Sequence, residues 1–202
     1  MNRQVLTSVD NTLQPLLKTL GSATKLDAAQ LIKTVLEQVN DLQKIYSENS
    51  AVLQLRMQSL SGRYPSLRRA LNSLSLVLLF ASKNRISDTV AQHILTGCVL
   101  AASVSQRQSL ETQREVCRDY LKRLSGPHFA LVCWTLNRYL HTKSPLLKSG
   151  SIVEEIALPV GIALEIARVT SSSSTESSRS TLFVIQQLLR KHPSTERYIA
   201  PV

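Results

Sequence analysis

A chain of 202 residues with 43% apolar residues and only 4% aromatics is long enough for one domain with a full hydrophobic core, or one domain plus a helical extension. A core drawn mainly from Leu, Val, Ile and Ala suits helix packing on helix and argues against a sheet. The net charge of +10 excludes an acidic, nucleic-acid-repelling surface and favours attraction to anions: a nucleic acid, a phosphorylated ligand, an acidic partner or an anionic membrane.

Residues 3–20 read as a helix, with Val5, Leu6, Val9, Leu13, Leu16, Leu17 and Leu20 on one stripe. Pro15 is expected to bend or interrupt it, because it carries no N–H and crowds the preceding turn. Asp27 is placed to cap the next helix, with Gln30 completing a capping box. In that helix Ile32, Val35, Leu36, Val39, Leu42 and Tyr46 recur at helical spacing. Ser50 is expected to cap a shorter helix that runs to Leu60 and ends at Ser61-Gly62. Pro65 then opens a helix whose second half, Leu74 to Ala81, is apolar on nearly every side and therefore central to the core. Lys83-Asn84-Arg85 closes it. Ser87 caps a largely apolar helix to about Ser105. Residues 108–124 are more charged and are expected at the surface.

Gly126-Pro127 starts a helix to about Leu140, with Phe129, Val132, Cys133, Leu136 and Leu140 facing inward. Pro145 to Ser151 reads as a loop, and Ile152 to Val169 as a helix interrupted near Pro159-Val160-Gly161. The serine-rich segment 171–180 has nothing to bury and is expected to be a flexible, dispensable loop. A last helix covers about Thr181 to Lys191. The class that follows is all-α, with no sustained apolar–polar alternation and no repeat of fixed period.

Charge is unevenly distributed along this pattern. Residues 1–48 and 149–202 each carry five basic and five acidic side chains, whereas 49–110 carry seven basic groups against Asp88 alone. Residues 111–148 carry seven against three. The basic excess lies in the middle of the chain. A solvated surface that keeps the protein soluble accounts for it as readily as a binding site does. Within it, Arg63, Tyr64, Arg68 and Arg69 form a compact basic group beside an aromatic ring. Phosphate or carboxylate recognition is its functional reading, and a surface pair fronting solvent its structural one.

Catalytic and metal-binding patterns are absent from the sequence. His93, His128, His141 and His192 each stand apart from any His, Cys or carboxylate at zinc-ligand spacing. Cys98, Cys117 and Cys133 are an odd number without a C-x-x-C pair, and read as thiols in a reducing compartment. The amino-terminal residues carry no signal pattern. The longest apolar run, Leu74 to Ala81, is far below the roughly 20 residues of a membrane span. A cytoplasmic protein without a cofactor or a membrane span is the expectation. The sequence carries no signal for an oligomeric state.

Residues 64–105, YPSLRRALNSLSLVLLFASKNRISDTVAQHILTGCVLAASVS, resemble the opening of an HD-GYP-type phosphohydrolase domain. Tyr64, the apolar helix, the Ile86-Ser87 turn and the run Gly97-Cys98-Val99-Leu100 keep that framework. The ligand positions depart from it: Arg68 stands at the first metal-binding His, and Ala101-Ala102 at the His-Asp pair. Residues 152–191 are similar to the family's late segment, with Arg168 at a ligand Asp. The paired histidines would fall near Tyr139 to His141, where only His141 remains.

The resemblance divides the chain into an N-terminal helical extension, 1–48, and a degenerate HD-GYP-like domain, 49–202. It implies lost metals, lost cyclic di-GMP hydrolysis, and a non-catalytic bacterial signalling or regulatory role through a protein partner. A phosphorylated ligand or nucleotide held in a vestigial pocket by Arg68, Arg69, His141 and Arg168 would fit that picture. Arg68 and Arg168 would then meet with no acidic side chain beside them. A basic helical nucleic-acid-binding protein is the alternative, and the absence of a helix-turn-helix signature weighs against it.

Overall fold

A computed structural model describes residues 3–22, 27–106, 109–124, 129–140 and 153–171. They form α1 (Arg3–Ser22), α2 (Ala28–Arg63), a 3-10 turn (Pro65–Leu67), α3 (Arg68–Lys83), α4 (Asp88–Ser105), α5 (Leu110–Arg123), α6 (Ala130–Leu140) and α7 (Val153–Ser171). The protein is all-α, and no strand occurs among the described residues. The expected loop at 145–151, the serine-rich segment from 172 to 180, the last helix at 181–191 and His141 lie outside the described residues.

α1 buries Val9, Leu13, Leu16, Leu17 and Leu20. Contrary to expectation it is not interrupted, and the helix runs through Pro15. Pro15 and Asn11 both lie on its exposed side, so the lost backbone bond falls on the solvent side of the helix, and burial of the opposite stripe holds the helix together. α2 begins as read: the Asp27 carboxylate accepts from the Ala29 N–H at 2.7 Å, satisfying a donor that the first turn leaves open. Near the predicted Ser50 cap the chain does not leave the helix altogether. A kink at Asn49 (φ −143°, ψ 47°) separates a first stretch burying Leu31, Val35, Val39, Leu42 and Ile45 from a second burying Leu53, Met57 and Leu60. The kink lets one long element cover two differently directed faces of the core. Arg56 fastens α2 to α1 by a two-pronged bond to Asp10, at 2.6 and 3.0 Å, and Gln38 donates to the Thr19 hydroxyl at 2.9 Å.

α3 ends in a Schellman arrangement, with the Ile86 N–H donating to the Ala81 carbonyl at 2.9 Å and the Arg85 N–H to Ser82 at 3.3 Å. This places Arg85 at φ 52°, a left-handed position that glycine fills without steric cost. α4 is the central helix. Its residues from Ile94 to Val104 are all buried, and it touches α1, α2, α3, α5 and α6. Its closest neighbour is α6. A Cβ built on Gly97 would stand 2.6 Å from the Thr135 Cβ and 2.8 Å from the Val132 carbonyl oxygen, so only glycine permits this crossing.

α5 is the surface helix its charge predicted. It buries Cys117 and Tyr120, and the Tyr120 hydroxyl bonds the Ser103 hydroxyl of α4 at 3.2 Å. In α6, Leu131, Val132, Thr135, Leu136, Asn137 and Tyr139 are buried, while the predicted Phe129, Cys133 and Leu140 pack at the margin. α7 is not interrupted at Pro159-Val160-Gly161 as expected; the helix is continuous from Val153 to Ser171. Losing one backbone bond at a proline costs about 3 kcal/mol, and burial of Val160, Ile162, Leu164 and Ile166, at roughly 1.5–3 kcal/mol per large side chain, outweighs it. One apolar cluster takes residues from every helix, with both sides of residue 48 contributing.

Candidate functional site

Arg68 and Arg69 open α3, where the preceding turn reverses the chain against the end of α2. The last carbonyls of a helix have no N–H partner within it and carry partial negative charge. Each arginine meets such a group. The Arg68 Nε donates to the carbonyl of Ser61 in the last turn of α2 at 3.3 Å. Arg69 donates through Nη2 to the carbonyl of Tyr139 in the last turn of α6, and its guanidinium lies 4.2 Å from the centre of the Tyr139 ring. This is a cation–π contact that burial strengthens. Burial pushes the Tyr139 phenol above its ordinary range, and the nearby guanidinium opposes that shift. Burial likewise raises the Cys98 thiol to about 12, again opposed by Arg69, which leaves it a neutral, unreactive side chain.

Arg168 lies in the last turn of α7 and is paired within its own helix. Its Nε donates to Glu165 Oε2 at 2.9 Å and its Nη2 to Oε1 at 2.5 Å. That hydrogen-bonded carboxylate raises the guanidinium's affinity for its proton further. An acidic group therefore does stand beside Arg168, against expectation, because the i, i+3 spacing of a helix brings the two together. α3 and α7 meet, and the Asn72 amide donates to the Ser171 hydroxyl at 3.0 Å. Asn72 is one turn beyond Arg68, and Ser171 one turn beyond Arg168. The two arginines thus stand on touching helices, each bonded to a group of its own. Ala101 and Ala102 are buried in the core. Among the described residues, no group of three or more His, Cys, Asp or Glu is placed to hold a metal ion.

A recess lies elsewhere. An open cleft of about 900 Å³ runs between the outer face of α1, the turn at 64–67 and the end of α4. Asn11, Gln14, Pro15 and Lys18 form one wall, Tyr64 and Ser66 the other, with Gln106 at the end and Leu17 and Leu67 beneath. Gln106 donates to the Ser66 carbonyl at 2.9 Å and fixes the far wall. Tyr64 is 37% exposed, and the Arg63 guanidinium lies 5.7 Å from the centre of its ring. The sequence pointed to Tyr64 and Arg63 but not to α1. The overlooked signal is the polar stripe Asn11, Gln14, Pro15, Lys18 at helical spacing, opposite the leucine stripe. A smaller recess, of about 250 Å³, opens beside the α2 kink and is lined by Tyr46, Ser47, Ser50, Ile86 and Asp88 among others.

The basic surface is less one-sided than the chain's charge implies. On α5, Arg114, Arg118 and Lys122 share an exposed stripe with Glu111, Glu115 and Asp119 beside it, and Arg123 pairs with Asp119 at 3.3 Å. Among the described residues no helix is long and apolar enough to cross a membrane. No family model, curated protein or solved structure matches this chain.

Proposed function

We propose that this chain is a non-catalytic regulatory module that acts by binding a protein partner. The observation that carries this reading is the open cleft along α1. It is a preformed recess whose walls combine side-chain amides, a lysine and an aromatic ring, groups that recognise other polypeptides. The non-catalytic part rests on the resemblance to the HD-GYP family combined with its altered ligand positions, Arg68 and Ala101-Ala102. The nucleotide-binding version of that idea is weaker. Arg68 and Arg69 already bond helix ends, and Arg168 already bonds a carboxylate; a phosphate would have to compete with those partners.

The test is site-specific photo-crosslinking in the source cells, with the photoreactive residue placed in turn at Gln14, Leu55, Lys83 and Arg118, which are all exposed. One or more positions should give a discrete heavier adduct containing a second protein. A survey with no adduct at any of the four, together with calorimetric binding of a cyclic dinucleotide that is lost in Arg168→Ala, would replace this reading with the vestigial-pocket one.

A further inference from the structure

We infer that the α1 cleft takes an extended, carboxylate-bearing segment of the partner protein. This rests on the protein-binding reading above and adds the site and the chemistry of the occupant.

Three features of the cleft carry the inference. The first is backbone hydrogen-bonding capacity. Pro15 has no N–H to offer the Asn11 carbonyl, and both residues line the cleft, so the main-chain acceptor that α1 leaves without its usual partner belongs to a residue of the cleft wall. Asn11 and Gln14 add amides that donate and accept. Gln106 uses its NH2 group on Ser66 and keeps its carbonyl oxygen as an acceptor. A helical ligand has already satisfied its own N–H and C=O groups, whereas an extended chain brings them unpaired. These walls match the extended chain.

The second feature is apolar relief at intervals. Tyr64 and Pro15 line the cleft from different elements, together with the buried Leu17 and Leu67. Flat aromatic and prolyl faces suit the alternate side chains of an extended or polyproline segment.

The third feature is charge. Lys18 lines the near wall, and Arg63 lies against the Tyr64 ring. No Asp or Glu is among the lining residues, and Arg63 has no ion-pair partner among the described residues. A carboxylate on the occupant complements the Arg63 guanidinium, which is exposed beside the Tyr64 ring that lines the cleft. Two cations are too few for the backbone track of a nucleic acid, which needs a line of them.

The experiment is a selection from a random peptide library displayed on phage against the full chain. The winning peptides are then resynthesised with a fluorescent label and titrated by anisotropy. The selected sequences should carry Asp or Glu within extended, proline-tolerant stretches. Their affinity should fall on the order of tenfold or more, the loss of one interface anchor, in Tyr64→Ala and in Gln14→Glu, which places a like charge in the cleft. Arg118→Gln shifts the net charge by the same single unit on α5 and should leave affinity unchanged. All three positions are exposed, and unchanged melting curves confirm folding.

Amphipathic helical winners, or winners that bind Tyr64→Ala and Gln14→Glu undiminished, would overturn the cleft assignment. They would leave a protein-binding module that uses another face. No enrichment at all would also overturn it, and the crosslinking survey would then decide the broader reading alone. A single-stranded oligonucleotide that binds in a Tyr64-dependent way, where no peptide does, would overturn both.

Discussion

The Gly97→Ala substitution isolates the contact on which the centre of the bundle depends. Alanine in place of glycine inside a helix is favourable by about 1 kcal/mol through propensity alone, so a helix-only view forecasts a stabilised variant. The packing forecasts the opposite. The new methyl would sit 2.6 Å from the Thr135 Cβ and 2.8 Å from the Val132 carbonyl oxygen, whereas carbon atoms settle at about 3.5–4.0 Å. α4 and α6 would have to separate by about 1 Å, and one obstructing atom is backbone, which cannot swing aside. Overpacking of this kind costs about 1–3 kcal/mol, and here the upper part of that range applies. After the propensity gain the net loss is about 1–2 kcal/mol, or roughly 2–8 °C in Tm for a domain of this size. Gly62→Ala is the matched control, since a Cβ there meets nothing within 4 Å and should raise stability by up to about 1 kcal/mol. Circular-dichroism melts and urea titrations of both variants measure the contrast. If Gly97→Ala melts at or above the parent, the close α4–α6 crossing is wrong.

Two further outcomes follow from local geometry. Arg85→Gly relieves a left-handed backbone at φ 52° and should stabilise the protein by about 1 kcal/mol in chemical denaturation; a destabilised variant would show that the Arg85 side chain holds a contact of its own. Cys98 is raised from 9.0 to about 12 by burial, so between those values the unfolded thiol releases its proton before the folded one. Stability should therefore fall as pH climbs through that window, and Cys98→Ala should show a shallower alkaline decline, read from urea midpoints at each pH. Equal slopes would mean that the thiol is hydrated.

Most helices were legible because their signals are local. Asp27 lies before an apolar stripe, and a run of small and apolar residues from Ile94 to Val104 marks the buried helix α4. The misses share one cause. Pro15 and Pro159 were read as breaks from chemistry that operates over four residues, and both helices continue because burial over the whole element is worth more than one missing bond. At Asn49 the opposite happened. A cap was expected near Ser50, but the chain re-entered the helix at once, since cores on both sides of the kink reward the continuation.

The candidate site was less legible, because what an arginine does depends on which unpaired oxygen the fold brings to it. Arg68 and Arg69 are neighbours in sequence yet bond different helix ends, Ser61 of α2 and Tyr139 of α6. Neither partner is recoverable from spacing. The Arg168–Glu165 pair, by contrast, is an i, i+3 relation that the sequence did display, and the family framework drew attention away from it. Charge counting misled for the same reason. The excess of residues 49–110 was set against Asp88 alone, while in the fold Arg56 takes Asp10 from a segment counted as balanced. Among the described residues, Arg63 is exposed beside the Tyr64 ring and has no ion-pair partner. A basic stretch is thus an upper limit on the field a partner meets, and the place to look for that partner is where a cation is left without an internal oxygen.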